Sequence, residues 1–359
     1  MQDSIFEISI FGGGNGYGES ILVKIDKEWI IIDSFINPSS SLPTPIEYLK
    51  EIGVDLSKDV KKIICTHWHD DHFRGIADIF EQCHSADFFC SDCIDTQEFT
   101  NLYGITDLDP VTSPTKEISK IIDILKSRNK VFHSLRADQL LHQQNVKSNA
   151  IKIWALSPSQ KSINASRMQL SKVLTQYSDD KVLPPSPSPN EASVALLFEI
   201  NNFCFILGSD LPYFNDSDKG WKHVIENSQI CQNKKAVFFK VPHHGSSTSY
   251  HPTIWAKLLE DNPIVGLTSY SKGWGVPNQK DINNILQHTD NAYITSSRSD
   301  KKRIKKRDKT VTNMLSELRI DITEIPFEFG QIKLSTNNLS NPIFSLELIK
   351  SAIHLNKYF

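Results

Sequence analysis

Short apolar segments recur along the chain and predict β-strands joined by turns. Residues 4–11 alternate apolar and polar positions, as a strand with two different faces does. Two apolar runs at 21–25 and 29–33 flank the polar turn 26–28 and predict a β-hairpin. Further strands are predicted at 61–66, 86–90, 150–156, 193–200, 203–207, 236–241 and 264–268.

Helical periodicity appears between several of these strands. Helices are predicted at 43–52, 73–80, 118–126, 221–227, 253–259 and 281–287. We interpret 139–145 as a polar stretch, the Pro-rich end of 157–190 as a loop, and the chain beyond about 290 as less ordered.

This order of elements predicts an α/β (α+β) fold, an αββα four-layer sandwich with two sheets inside and helices outside. Residues 1–290 would form the main domain. Residues 291–359 would form a C-terminal extension with a basic segment, packed on that domain or continuing it.

Composition narrows the class of protein. The 39 Lys and Arg residues nearly balance the 42 Asp and Glu residues, which argues against a strongly basic protein that coats nucleic acid. No apolar stretch reaches the length of about 18 residues typical of a transmembrane helix, and the N-terminus lacks the pattern of a signal peptide. Six cysteines without regular spacing do not make a disulfide framework. We therefore expect a cytoplasmic protein without a membrane segment.

The stretch His67-Trp68-His69-Asp70-Asp71-His72 carries the strongest chemical signal. In an extended backbone, side chains two residues apart point to the same side, so His67 and His69 would face one cation. Asp71 and His72, where the chain turns into a predicted helix, would face a second. Imidazole nitrogen and carboxylate oxygen bind Zn²⁺, and Mn²⁺ or iron accept the same ligands. A polar surface loop is the alternative interpretation.

The H-x-H-x-D-H pattern resembles the signature of the metallo-β-lactamase superfamily, and the resemblance extends along most of residues 4–290. It implies the αββα sandwich and a hydrolase that binds one or two ions of zinc, with manganese as the alternative. It also implies a structural role near the site for Asp33 and a carboxylate that bridges two metals at Asp210. Without the resemblance, both are ordinary aspartates at strand ends.

Within the superfamily, three segments resemble the competence DNA-uptake (ComEC-like) nucleases. They are the Gly-rich turn 12–18 with the strand that follows it, the stretch Asn190-Glu191-Ala192-Ser193-Val194, and the stretch Lys240-Val241-Pro242-His243-His244-Gly245-Ser246. This resemblance implies a nuclease or phosphodiesterase that acts on nucleic acid or on a small phosphodiester. Any protein partner stays unknown.

Two positions depart from the family pattern. No histidine between His72 and Asp210 stands in the strand-end context of the usual third ligand of the first metal, and Asn190 occupies that neighbourhood. Val276 stands in Gly275-Val276-Pro277, where the family often has a histidine, and a valine side chain binds no metal. The first departure would leave one cation weakly held, and the second gives more weight to the histidine pair at 243 and 244.

The adjacent residues His243 and His244 would point apart at an extended strand end, so they would have different roles. We assign His243 to the metal and His244 to acid catalysis or contact with phosphate. A histidine pair that lines the core and bonds to backbone is the alternative interpretation.

The expected chemistry is hydrolysis by metal-activated water, whose pKa falls toward about 7. Asp71 would bind metal and orient the attacking hydroxide. Eight of the twelve residues at 298–309 are basic and would contact a phosphate backbone, unless they form a solvated charged loop. Tyr270, Lys272 and Trp274 would stack on a substrate or belong to the core. Two other functions stay open: hydrolysis of another ester or amide (a lactone, thioester or phosphocholine ester), and a non-catalytic module in a larger complex.

Overall fold

A computed structural model of the chain describes residues 4–13, 18–93, 113–180, 189–270, 275–296 and 329–359, together with residues 310, 314 and 317. The strands within these residues are β1 (Phe6–Gly13), β2 (Gly18–Ile25), β3 (Glu28–Ile32), β4 (Val60–Cys65), β5 (Asp87–Ser91), β6 (Phe132–Leu135), β7 (Gln139–Val146), β8 (Asn149–Ala155), β9 (Leu196–Ile200), β10 (Phe203–Leu207), β11 (Ala236–Lys240), β12 (Leu259–Leu267), β13 (Ala292–Ile294), β14 (Gly330–Thr336), β15 (Ser345–Ile349) and β16 (Ile353–His354). The helices are α1 (Thr44–Glu51), α2 (Leu56–Asp59), α3 (Asp70–Phe73), α4 (Ile76–Gln82), α5 (Ser113–Ser127), α6 (Gln160–Asp180), α7 (Gly220–Glu226), α8 (Pro252–Leu258) and α9 (Gln279–Leu286).

The strands form two eight-stranded sheets. The first sheet has the order β15-β14-β1-β2-β3-β4-β5-β6, and the second has the order β16-β13-β12-β11-β10-β9-β8-β7. In each sheet one part is antiparallel and the other part, β3 to β6 or β10 to β13, is parallel. Parallel strands present their carboxyl ends at one edge of a sheet, and this is where open α/β folds place their functional loops.

Three apolar layers hold the four-layer arrangement together. Between the two sheets lie the inward side chains of β1, β2 and β14 from one side, and of β8 to β11 from the other. The opposite face of the first sheet packs against α1, α4 and α5, and that of the second sheet packs against α7, α8 and α9. Successive side chains of a strand point to opposite faces, so strands covered on both sides are apolar almost throughout. The predicted αββα sandwich is confirmed.

Several local predictions were wrong. The helix predicted at 73–80 is two short helices, α3 and α4, because the chain turns at Gly75 with φ 78°, a conformation that helices do not contain. The stretch at 139–145, interpreted as merely polar, is strand β7 at the edge of the second sheet. Helix α6 occupies most of the segment 157–190, for which the sequence predicted only a loop at its Pro-rich end. The apolar pattern of both elements is weak in the sequence, because each element has at most one covered face and carries polar residues elsewhere.

The chain beyond 290 was predicted to be less ordered, yet its described residues contain four strands. β14 pairs antiparallel with β1 in the first sheet, and β15 pairs with β14. β13 and β16 complete the second sheet. The domain boundary at 290 stays a prediction, but strands from both sides of it share the same two sheets.

Candidate metal centre

The predicted ligands converge because each follows the carboxyl end of a strand at the same edge of the sandwich. Asp33 comes directly after β3, and His67 begins two residues after β4 in the first sheet. Asp210 follows β10, and the His243-His244 pair follows β11 in the second sheet. The apolar layer between the sheets therefore fixes the distance between the two sets of side chains.

His67, His69 and Asp210 form the first group of metal-capable side chains, with their ligand atoms within 4.8 Å of one another. His69 has an extended backbone, with φ −74° and ψ 144°, as the spacing of the two histidines predicted. The His67 Nε2 atom lies 3.3 Å from His69 Nδ1 and 3.8 Å from Asp210 Oδ2. Both imidazoles thus face the same carboxylate oxygen.

Asp71, His72 and His244 form the second group, also within 4.8 Å. His244 Nε2 lies 3.1 Å from Asp71 Oδ2, and His72 Nε2 lies 3.7 Å from the same oxygen. The other carboxylate oxygen of Asp210, Oδ1, lies 3.4 Å from His72 Nε2. Asp210 therefore directs one oxygen to each group, which is the geometry that a bridging carboxylate needs.

Asp33 supports the site from behind. Its Oδ1 atom accepts a 2.7 Å hydrogen bond from the Thr66 backbone N–H, and its Oδ2 accepts one of 2.7 Å from the Thr66 hydroxyl. Oδ2 also lies 2.8 Å from His72 Nδ1, so His72 directs its remaining nitrogen, Nε2, into the site. A carboxylate behind a ligating imidazole is the usual arrangement in metal proteins. Asp33 also belongs to a third group, with His67 and His72.

Burial and neighbouring charges shift the pKa values of these groups strongly. Burial lowers the pKa of His67 well below its usual range and lowers the pKa of His69. Burial opposes a charge on His72 as well, but the Asp210 and Asp71 carboxylates outweigh it and raise the pKa of His72 well above its usual range. Burial also favours the neutral forms of Asp71 and Asp210, yet the nearby His72 charge holds both pKa values below their usual range. The Asp71 and Asp210 carboxylates therefore favour positive charge in the site, and a bound cation would supply it.

The histidine pair does not lie on an extended strand end, contrary to the prediction. Residues 242–245 form a 3₁₀ turn in which His243 and His244 both have positive φ, 50° and 54°. Non-glycine residues in this conformation cost about 1–3 kcal/mol each and concentrate at functional sites. The turn separates the two rings, with centroids 6.2 Å apart.

The two histidines occupy different environments. His244 is buried within the second group, with 2% of its side chain exposed. His243 is 28% exposed, and its Nε2 lies 4.0 Å from Asp210 Oδ2. Its Nδ1 lies 2.9 Å from the Thr248 hydroxyl, and its Nε2 lies 3.3 Å from the Asn190 side-chain nitrogen. Asn190, predicted as a near-site residue, therefore contacts His243.

Glycines let the backbone come close to the ligands. At Gly18 φ is 125°, and a Cβ atom there would lie 2.1 Å from the Asp71 carbonyl oxygen. The part of the Gly-rich turn that the structure describes therefore packs against α3. Val276 pairs with Tyr270 in an isolated bridge, and the Tyr270 ring stacks on His244 with centroids 5.2 Å apart. Lys272, Trp274 and the basic stretch 298–309 lie outside the described residues.

Buried polar atoms without hydrogen-bond partners indicate that a group from outside the chain completes the site. His72 Nε2, Asp210 Oδ1 and Asn190 Oδ1 have no such partner among the described residues. Leaving a buried polar atom unpaired costs about 1–3 kcal/mol, so native proteins seldom do so without a function. Two imidazole-rich groups joined by a carboxylate match the ligand chemistry of divalent zinc or manganese. The residues therefore fit the predicted metal ions.

Sequence reasoning missed three residues next to these groups. Glu19, Lys240 and Thr268 are buried side chains that connect with one another and with His244. Glu19 and Lys240 lie in stretches that carry the family resemblance, but no spacing rule connects residues so far apart in the chain. Only the packing of β2 against the ends of β11 and β12 brings them together.

Comparison with known proteins places the fold. Residues 13–86, which include Asp33 and the whole 67–72 stretch, match the model of the metallo-β-lactamase superfamily. The match covers only part of the chain, and the αββα architecture is consistent with it. Neither bears on the ComEC-like branch, which stays a prediction. No curated protein matches the chain.

Solved structures similar to the chain share low sequence identity with it. The metallo-β-lactamase fold protein YhfI from Bacillus subtilis is 10% identical over 66% of this chain and 70% of that chain, with a TM-score of 0.33. The hydrolase AbOPH in the β-lactamase superfamily is 14% identical over 58% and 72%, with a TM-score of 0.35. MEM-A1, a subclass B3 metallo-β-lactamase from a soil metagenome library, is 13% identical over 73% and 77%, with a TM-score of 0.32.

None of the helices that the structure describes is both long and apolar enough to cross a membrane.

Proposed function

We propose that the chain is a metal-dependent hydrolase that cleaves phosphodiester bonds at a dinuclear centre. The first ion would be held by His67, His69 and Asp210. The second would be held by Asp71, His72, His244 and the other oxygen of Asp210. The ions would be Zn²⁺ or Mn²⁺, since both accept nitrogen and oxygen ligands together.

One observation carries this proposal. The two carboxylate oxygens of Asp210 face different ligand groups, at 3.8 Å from His67 Nε2 and 3.4 Å from His72 Nε2. A carboxylate in that position offsets the repulsion between two cations about 3.5–4 Å apart, the separation typical of hydrolytic two-metal sites. When bound, such a pair supplies Lewis acidity and a nucleophilic water at neutral pH.

The chain's own residues would divide the remaining work. Asp71 lies between His72 and His244, where its carboxylate can accept a hydrogen bond from the attacking water and orient it. A residue that meets the substrate must be accessible, and His243 is 28% exposed where His244 is 2% exposed. We therefore assign His244 to the second ion and His243 to the substrate's leaving oxygen. This reverses the assignment from the sequence, because the turn at 242–245 buries the second histidine instead of the first.

Phosphodiesters are favoured over other esters by two features of the sequence. The histidine turn and the Asn190 and Glu19 stretches resemble the corresponding segments of ComEC-like nucleases. The stretch 298–309 carries eight basic residues, enough to contact several phosphates of a nucleic-acid backbone. Partners other than this substrate are not proposed.

The experiment combines metal analysis with hydrolysis assays. Purified protein loaded with Zn²⁺ or Mn²⁺ should hold two ions and cleave bis(p-nitrophenyl) phosphate and either DNA or RNA. An Asp71→Ala variant is the control for contaminating nucleases, and single- and double-stranded polymers are tested side by side. Cleavage of a lactone, thioester or phosphocholine ester, with no phosphodiester cleaved, would limit the proposal to hydrolysis in general.

A non-catalytic role is the second candidate, and Val276 is the observation that favours it. This valine stands where the family often has a histidine, and it pairs with Tyr270 at the wall of the site. Protein that binds no metal under any loading condition, while remaining folded, would support this role and overturn the hydrolase proposal.

A further inference from the structure

A chain of buried polar side chains leads away from the metal centre into the space between the sheets. His244 Nδ1 lies 2.8 Å from the Thr268 hydroxyl, and that hydroxyl lies 2.5 Å from Glu19 Oε2. The other oxygen of Glu19, Oε1, forms an ion pair with Lys240 Nζ. All four residues are buried. At most 2% of the side chain is exposed in Glu19, Lys240 and His244.

The direction of the hydrogen bonds follows from the donors available. Lys240 carries only donors, and it occupies Glu19 Oε1, so the Glu19 carboxylate acts as an acceptor. The Thr268 hydroxyl has one proton, which it donates to Glu19 Oε2. The same hydroxyl oxygen must then accept from His244 Nδ1–H. His244 Nδ1 therefore carries a proton, and Nε2, 3.1 Å from Asp71 Oδ2, is the nitrogen left to bind the second ion.

The surrounding backbone fixes this chain of contacts in place. A Cβ atom at Gly12 would lie 2.5 Å from Thr268 Cγ2, so the glycine of β1 leaves room for Thr268 between the two sheets. Lys240 also donates to the Ser209 carbonyl at 3.2 Å, next to the bridging residue Asp210. The buried Lys240 ammonium thus contacts both Glu19, which supports His244 through Thr268, and the backbone next to Asp210.

We infer that Glu19 and Thr268, held by Lys240, are positioning residues that set the tautomer and orientation of His244 for the second metal ion. The inference rests on the proposed function, because it assigns His244 to that ion. It extends that function by a support reaching from the first sheet, which contributes Glu19, to a ligand of the second sheet. Ligating histidines depend on such outer contacts, whose loss weakens metal affinity about 10- to 100-fold.

The test uses the intact protein and Thr268→Val, which removes the hydroxyl while keeping the side-chain shape. In metal-free protein labelled with ¹⁵N-histidine, the His244 Nδ1–H signal, identified with His244→Gln, should exchange slowly with water in the native chain and faster in Thr268→Val. In Zn²⁺ titrations the second ion should bind about 10- to 100-fold more weakly to the variant, while the first ion binds as in the native chain. Thr268→Ser should restore both properties.

Ser269→Ala is the matched control at the neighbouring position. Ser269 bonds to Ser296 at 2.8 Å and should leave the His244 signals and both affinities unchanged. Glu19→Gln leaves the Lys240 ammonium buried without its counter-charge and is prone to misfolding, so the double variant Glu19→Gln/Lys240→Met tests the carboxylate in its place. Slow exchange of the His244 Nδ1–H proton and native affinity for the second ion in Thr268→Val would overturn the inference.

The two measurements separate this inference from the proposed function. If the native chain binds no second ion, the proposed dinuclear centre fails, and the metal titration reveals this before any variant is compared. If the native chain binds two ions and Thr268→Val binds them equally well, the centre stands and the support from Thr268 fails.

Discussion

The two sheets contribute to the metal centre in different ways. The first sheet supplies four of the proposed ligands from one stretch of six residues, 67–72, backed by Asp33. The second supplies single residues from separate strand ends, with Asp210 after β10 and the histidine pair after β11. Local backbone geometry places the first set, while strand pairing and the apolar layer between the sheets place the second. The dispersed set nevertheless provides the residue that joins the two ligand groups.

The largest effect should follow from Asp210→Ala. Because Asp210 directs one oxygen to each ligand group, its loss should remove or strongly weaken both ions. Hydrolysis should fall by about 10³-fold or more, equivalent to about 4 kcal/mol of transition-state stabilisation. Metal content measured after gel filtration checks the cause. Asp71→Ala, from the compact stretch, should keep the first ion. Two tightly held ions in Asp210→Ala would break the comparison.

A smaller and more selective effect is expected from His69→Ala and His244→Ala. Each histidine belongs to a single ligand group, one from each sheet. Each variant should therefore retain one of two ions, and turnover should fall by about 10²-fold, or about 2.7 kcal/mol. Titration with Co²⁺, followed by its visible absorption, distinguishes the two losses by their spectra. If either variant loses both ions, the two ligand groups do not hold their ions independently.

Asp33→Asn should act on stability as well as on metal binding. The carboxylate accepts two hydrogen bonds from Thr66 and contacts His72, and the amide can preserve only part of this set. We expect the free energy of unfolding of metal-free protein to fall by about 1–3 kcal/mol, measured by urea denaturation. Asparagine tolerates the positive φ of 58° at this position, so backbone strain is not added. Thr66→Val removes the hydroxyl contacts with Asp33 and with His67 Nδ1 but keeps the backbone hydrogen bond to Asp33, and it should cost less than Asp33→Asn.

The smallest effect is a pH dependence behind the compact stretch. Glu117 of α5 accepts hydrogen bonds from the N–H groups of Gly75 and Ala77, at the start of α4. Burial, the largest cause, raises the pKa of Glu117 above its usual 4.5 despite these bonds. An acid with a raised folded-state pKa stabilises the fold below its unfolded pKa, and that stability is lost as pH rises through the folded pKa.

The unfolding free energy of Glu117→Gln should lack this decline. Urea denaturation of both proteins, metal-free, over the interval that begins at pH 4.5 measures the difference. A native chain that gains stability relative to Glu117→Gln as pH rises through the interval would contradict the assigned direction.

The sequence predicted the first sheet's contribution far better than the second's. The H-x-H-x-D-H stretch can be recognised in the sequence because its geometry depends on neighbouring residues alone. Strands such as β2 and β3 can be recognised because their apolar runs are buried on both faces. Asp210 was identified only through a family resemblance. The turn that gives His243 and His244 positive φ has no glycine at either position to announce it. Thr268 and Glu19 are 249 positions apart, and no local pattern connects them.

The pairing of β14 with β1 has a consequence for how the protein is made. β1 leaves the ribosome long before β14, the partner that covers its free edge in seven residue pairs from Phe6↔Thr336 to Gly12↔Gly330. Until then β1 presents unpaired backbone groups that invite association with other chains. Ile332 and Leu334 are also missing from the layer between the sheets during that time. A nascent chain arrested before residue 330 should therefore depend on chaperones, and aggregation should fall sharply once translation passes this strand.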